Sequence, residues 1–194
     1  MKQTQFFWDT ILNEVRAADH VVEVGTGAGF GTIEFALRTG ELGKVTAFES
    51  DGPAYASLQT NLASQKISAS VRVLRSTVGT TERRHDRLDQ VFVHSLVDIL
   101  KIDAAGQEEA VLRSASGLLR DPHRRPRAVF VQLYPHLWKT PDTEMAAENL
   151  CQWLRHCGYN LHCLAKDVFS IQNALSEEIV IAYSGQRKRK TVYS

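Results

Sequence analysis

Apolar positions along the chain follow two spacings, one typical of buried strands and one typical of helices. Short apolar runs rich in β-branched residues predict five strands, at residues 21–24, 45–48, 71–74, 97–103 and 128–134. Apolar residues that recur every three or four positions predict helices between them, at residues 1–15, 30–38, 51–65 and 108–119. Such alternation predicts an α/β protein with a mostly parallel sheet covered by helices on both faces.

The last part of the chain changes this order. Thr140 is predicted to cap a further helix, with Pro141 at its first position and Gly158 at its end. Two strand-like runs follow, at 160–165 and 177–184, and predict an antiparallel C-terminal pair. The sequence therefore predicts one domain over residues 1–185 and a basic tail over residues 186–194.

Bulk composition narrows the function classes only slightly. The 194 residues are 43% hydrophobic and 23% charged, with a net charge of +1, so the whole protein has no general attraction to nucleic acid or membrane. Its apolar runs are far shorter than a membrane span. Three cysteines, at positions 151, 157 and 163, argue against a disulfide framework, and their six-residue spacing matches no familiar zinc site. With no signal peptide evident at the N-terminus, these features favour a cytoplasmic protein.

The stretch VVEVGTGAGFGT, at residues 21–32, joins a strand to a helix through a glycine-rich turn, the layout of a nucleotide-binding loop. Glu49 follows Gly25 by 24 residues at the end of the next strand, where a carboxylate can accept hydrogen bonds from a ribose. The dinucleotide pattern G-x-G-x-x-G does not fit, because Phe30 occupies the third glycine's place. The segment instead resembles motif I of class I S-adenosylmethionine (SAM) methyltransferases, with their Rossmann-like fold. This resemblance implies SAM as cofactor, with these binding residues: Glu23, Gly25, Thr26, Gly27, Gly29, Glu49, Ser50 and Asp103.

A second resemblance is more specific. The segments RLDQVF, VDILKIDAAGQEEAVLRSA and AVFVQLYP are similar to motifs of the FkbM family of SAM-dependent methyltransferases, and the similarity extends over about residues 20–135. The family implies methyl transfer to a hydroxyl of a sugar or other small metabolite. Three positions depart from the family pattern: Ala105 and Gln132 replace glutamates, and Tyr134 replaces a histidine.

Two residues are candidates for the acid–base chemistry. Asp103 lies at the predicted end of the fourth strand and could act as the base, or it could cap the helix that begins near Gln107. His136 could also act as a base, or it could be an ordinary surface histidine. Since the three departures leave a nearly neutral acceptor site, we expect no metal ligands and metal-independent transfer.

Other function classes remain open at this point. The same departures would suit a SAM-binding protein with little catalysis that serves as a regulatory or partner subunit. The basic loop at 121–127 and the basic tail suggest a nucleic-acid methyltransferase more weakly, and an NAD dehydrogenase fits least. We favour a small-molecule hydroxyl acceptor; the sequence leaves the oligomeric state open.

Overall fold

The computed structural model describes residues 2–80, 86–163 and 178–184. The strands are β1 His20–Val24, β2 Lys44–Glu49, β3 Ser70–Arg75, β4 Ile99–Asp103, β5 Ala128–Leu133, β6 Tyr159–Cys163 and β7 Glu178–Ser184. The α-helices are α1 Lys2–Glu14, α2 Phe30–Thr39, α3 Gly52–Ala63, α4 Leu88–Val91, α5 Glu108–Ser114, α6 Ser116–Arg120 and α7 Thr143–His156, and a 3-10 helix spans Pro135–Leu137.

All seven strands belong to one sheet, in the order β3-β2-β1-β4-β5-β7-β6. The first five strands are parallel to one another, whereas β7 runs antiparallel to both β5 and β6. This confirms the predicted doubly wound sheet with an antiparallel C-terminal strand pair. The strand order reverses between β1 and β4, and in such sheets a ligand cleft opens beyond the carboxyl ends of these strands.

Alternation along the central strands places apolar side chains on both faces of the sheet. On β1, Val21 packs with residues of α1 and α2, while Val22 and Val24 pack with residues of α4 to α7. Because both faces are covered, these strands are nearly continuous runs of apolar residues. Phe7 of α1 has 1% of its surface exposed and lies edge-on to Phe130 of β5, which fixes the N-terminal helix across the sheet.

The basic loop at 121–127 lies at the amino end of β5, opposite the edge at which the parallel strands end. Its arginines are used in the fold: Arg124 and Arg125 each donate to a backbone carbonyl at 2.5 Å, and Arg127 forms an ion pair with the buried Asp19 at 2.6 Å. The loop therefore stabilises the base of the domain, away from the carboxyl ends of the strands.

The predicted helix over 108–119 is wrong in one respect, since it is two helices that meet at Ala115. The carboxylate of Asp89 accepts hydrogen bonds from the backbone amides of Gly117 at 2.9 Å and Leu118 at 2.7 Å. Amides in the first turn of a helix have no partner within the helix, so the Asp89 side chain from α4 supplies the missing acceptors and stabilises a separate helix that starts at α6.

The start of α7 also differs from the prediction. Asp142, and not Thr140, caps this helix, because its carboxylate accepts the Met145 amide at 2.8 Å. Further along, Leu150 and Trp153 are buried as expected. The predicted tail at 186–194 lies outside the described residues, as does the segment between β6 and β7. Within the part of the chain that the structure describes, no helix is long and apolar enough to span a membrane.

Candidate cofactor and active site

A cleft of about 910 Å³ opens at the carboxyl ends of the central strands β1, β2 and β4. Residues from α1, the glycine-rich turn, the end of β2 and the segment after β4 contribute to its walls. The volume is near the upper end of the range for small-molecule sites. Of the predicted cofactor-binding residues, these line the cleft: Glu23, Gly25, Thr26, Gly27, Glu49, Ser50 and Asp103.

The glycines of the turn have different physical requirements. Gly25 has φ +77°, and a Cβ there would collide with the backbone carbonyl of Asp103. Its small size therefore lets the β1 turn approach the end of β4, so glycine is required at this position by the protein's own backbone. Gly27 has φ +53°, and a Cβ there would meet no protein atom within 4 Å, so it borders open cleft. Gly29 precedes α2 and lies against Leu58, outside the cleft lining.

Glu49 braces the glycine-rich turn. Its Oε2 accepts hydrogen bonds from the backbone amides of Gly27 at 2.8 Å and Thr26 at 3.1 Å, and its Oε1 accepts the Asp51 amide at 2.9 Å. The side chain is buried, with 7% of the residue's surface exposed. A carboxylate has about four lone-pair sites, so Oε1 retains capacity for one further donor from the cleft.

Lys101 is a site residue that the sequence analysis did not single out. In the parallel register of β1 and β4 it lies directly opposite Glu23, and its Nζ is 3.3 Å from Glu23 Oε1. Both side chains are almost completely buried, at 3% and 1% exposure. Burial raises the pKa of Glu23, while the charge of Lys101 and a hydrogen bond from Thr32 act in the opposite direction. The sequence signal that could have identified Lys101 is a lysine among the apolar residues of a central strand, because a buried lysine needs a polar partner.

Asp103, at the end of β4, is half-buried and lines the cleft. The Tyr134 hydroxyl donates to its Oδ1 at 2.9 Å, and Lys101 Nζ lies 3.6 Å from its Oδ2. Gln107 occupies the N-cap position of α5 with no side-chain hydrogen bond, so the alternative role of Asp103 as the cap of that helix is wrong. Asp103 is instead oriented by two neighbouring polar groups.

The remaining candidate positions lie around this carboxylate. His136 is solvent-exposed in the 3-10 helix and does not line the cleft; its ring lies 6.1 Å from that of Tyr134. Gln132 is opposite Asp103 in the register of β4 and β5, and Ala105 borders the cleft with φ +44°. Among the described residues, no group of three or more His, Cys, Asp or Glu side chains is arranged to hold a metal ion.

Comparison with known protein families identifies the family of this chain. A family model described as the methyltransferase FkbM domain matches residues 50–161, more than half of the chain. The chain belongs to the FkbM family of SAM-dependent methyltransferases. This confirms the resemblance inferred from the β4 and β5 motifs. No curated protein is significantly similar to the chain in sequence.

Solved structures share the fold at low sequence identity. An rRNA methylase from Streptococcus thermophilus has a TM-score of 0.63 and 16% identity, over 92% of this chain and 94% of that one. A SAM-dependent O-methyltransferase from Thermotoga maritima has a TM-score of 0.59 and 14% identity, over 97% and 67%. Fibrillarin from Aeropyrum pernix, solved with natively bound SAM, has a TM-score of 0.55 and 14% identity, over 87% and 68%. These similarities establish the class I methyltransferase fold.

The residues of the cleft fit the SAM cofactor of this family. The turn borders open space at Gly27, where a Cβ would extend into the cleft. Glu49 lies beside that space with an acceptor site on Oε1, as a ribose hydroxyl requires. Apolar walls are provided by Phe48, Val78 and Val111, which suit a planar base.

Proposed function

We propose that this methyltransferase acts on a hydroxyl group of a small molecule, with Asp103 as the general base. The observation that carries this proposal is the placement of Asp103 in the cleft wall, with Tyr134 at 2.9 Å on one oxygen and Lys101 at 3.6 Å from the other. The two contacts orient the carboxylate and leave lone pairs free to accept a hydrogen bond from an acceptor hydroxyl.

The chemistry asks little of the protein beyond alignment and proton removal. SAM supplies a methyl group on a positively charged sulfur, so that the departing group is a neutral thioether. The acceptor oxygen gains the methyl group and loses its proton, which Asp103 accepts. Holding the hydroxyl against Asp103 also fixes the line of attack, a contribution that commonly exceeds that of the base itself. Tyr134 occupies the family's histidine position and acts here as a positioning residue for Asp103.

A small and uncharged or cationic acceptor is favoured by the charge of the cleft. Among the described residues its lining includes one cationic side chain, Lys101, and five carboxylates: Glu23, Glu34, Glu49, Asp51 and Asp103. A polyanion would be repelled by such a lining. The basic loop at 121–127 lies at the opposite end of the sheet, so it offers no phosphate-binding surface beside the cleft. We therefore take the similarity to an rRNA methylase as a similarity of fold and not of acceptor.

Radiolabelled methyl transfer to a panel of hydroxylated metabolites tests the proposal. Asp103→Asn should lower turnover about a hundredfold or more while the affinity for S-adenosylhomocysteine (SAH) stays within a few-fold. Tyr134→Phe, which removes only the phenolic oxygen, should lower turnover about tenfold with an altered pH profile. Glu34→Gln is the matched control, because Glu34 is exposed at the cleft and does not contact Asp103.

Each outcome separates the alternatives. Full activity of Asp103→Asn would remove Asp103 as the base. SAH binding without turnover on any acceptor would favour the SAM-binding protein with little catalysis. Activity lost in chelator would overturn metal-independent transfer, and methylation of RNA but not of small hydroxylated molecules would overturn the acceptor class.

A further inference from the structure

Lys101 has an unusual environment for a lysine, since its ammonium group lies inside the wall of the cleft. Nζ donates a hydrogen bond to the backbone carbonyl of Gly25 at 3.0 Å and lies 3.3 Å from the carboxylate of Glu23. The ring of Trp8, from α1, is centred 5.3 Å away. Strand β4, the end of β1, the glycine-rich turn and the N-terminal helix therefore converge on one cation.

The sign of its charge distinguishes Lys101 from the rest of the cleft lining. Among the described residues it is the cationic side chain in a wall that also presents five carboxylates. The amino-acid end of SAM or SAH is a zwitterion, and its carboxylate would be repelled by this lining unless a cation received it. Lys101 is the group at the glycine-rich turn that can supply the opposite charge.

We propose that Lys101 binds the carboxylate at the amino-acid end of the cofactor and thereby selects SAM over adenosine compounds that lack this group. The inference rests on the SAM-dependent activity described above. Asp103 is 3.6 Å from Nζ, longer than the 2.7–2.9 Å or so of a close charge-assisted hydrogen bond. Gly25 and Glu23 take the two closer N–H donors of the ammonium group, and the third, directed to Asp103 by this longer contact, is the one that a cofactor carboxylate beside Asp103 would share.

A purely structural role makes a different prediction. If Lys101 served only to neutralise Glu23, its removal would loosen the turn and weaken every adenosine ligand alike. If it binds the cofactor carboxylate, its removal weakens only the ligands that carry one. Two ligands separate these cases: SAH, and S-adenosyl-3-thiopropylamine, which keeps the ammonium group and lacks the carboxylate.

Isothermal titration calorimetry with both ligands provides the test. The wild type should bind SAH more tightly than S-adenosyl-3-thiopropylamine. In Lys101→Met the SAH affinity should fall on the order of tenfold to a hundredfold, while that of the decarboxylated ligand changes by less than about threefold. Lys101→Arg should retain most of the preference, because the cation is kept. Glu34→Gln, which removes an exposed negative charge from the same cleft, should retain or slightly increase the preference.

A second variant protects the test against misfolding. Glu23→Gln/Lys101→Met replaces both members of the buried pair, so no uncompensated charge remains opposite position 101. Compared with Glu23→Gln alone, it should show the same selective loss of SAH affinity as Lys101→Met shows against the wild type. Equal weakening of both ligands in the double variant relative to Glu23→Gln would assign Lys101 a structural role and overturn the inference. A wild-type protein that binds neither ligand would instead contradict the SAM-dependent function.

Discussion

Replacing Glu49 by alanine should destabilise the protein before any ligand is added. Sequence reasoning treats Glu49 as a ribose-binding residue, which predicts an effect only on cofactor affinity. The structure adds a second task, because its two carboxylate oxygens accept the backbone amides of Thr26, Gly27 and Asp51. Without the carboxylate these N–H groups lose their partners, and the glycine-rich turn loses its connection to the end of β2.

The size of the effect follows from the geometry. The amides of Gly27 and Asp51 bind at 2.8 and 2.9 Å, the distances of charge-assisted bonds, each of which contributes about 1.5–3 kcal/mol. Water at the cleft mouth can replace part of this, so we expect a loss of about 2–4 kcal/mol in the free energy of unfolding. For a domain of this size that corresponds to about 4–16 °C in Tm.

Thermal unfolding of the ligand-free protein, followed by circular dichroism, measures this directly. Glu34→Ala is the matched control, since it removes an exposed glutamate from the same cleft and should change Tm by less than about 2 °C. Glu49→Gln should fall between the two, because an amide keeps one acceptor oxygen. Unchanged Tm in Glu49→Ala, together with weaker SAH binding, would show that Glu49 acts on the ligand alone and that the turn is stable without it.

Two further predictions concern the turn and the base of the sheet. Gly25→Ala should lower the free energy of unfolding of the ligand-free protein by at least about 2 kcal/mol, because the new Cβ clashes with the Asp103 carbonyl. Gly27→Ala should lower it by only about 1 kcal/mol but should weaken SAH binding at least about tenfold. Urea unfolding and calorimetry measure the two effects, and equal behaviour of the two variants would contradict the prediction. Burial lowers the pKa of His20 below its usual 6.5, so the unfolded state binds a proton more readily than the folded state. The free energy of unfolding should therefore decline as the pH falls below about 6.5. A urea midpoint that stays constant between about pH 5 and 8, or a pH dependence that is unchanged in His20→Gln, would rule His20 out as the cause.

Much of the fold could be predicted because its signals are local. The run of valines before Gly25 predicts β1, the glycines predict the turn, and the spacing of apolar residues from Phe30 predicts α2. Parallel strands separated by helices then follow from the alternation of the two patterns. The carboxylate at the end of β2 was found from its distance along the chain, which the strand–turn–helix unit keeps nearly constant.

The features that escaped prediction depend on contacts between distant segments. Asp89 divides one predicted helix into α5 and α6 by binding amides 28 and 29 residues away, and no local signal marks Ala115 as a break. Lys101 becomes a site residue only through the register that places it opposite Glu23. Register is fixed by how neighbouring strands pack, so a sequence pattern shows that a buried lysine needs a partner but does not name it.

The departures from the family pattern carry a different meaning once their positions are known. Counted along the sequence, Ala105, Gln132 and Tyr134 remove two carboxylates and a histidine, which suggests a weakened acceptor site. In the structure Tyr134 donates its hydroxyl to Asp103, so the retained carboxylate has a polar partner. A retained carboxylate held by two polar partners suits proton removal from a hydroxyl, so the three departures leave the proposed base in place.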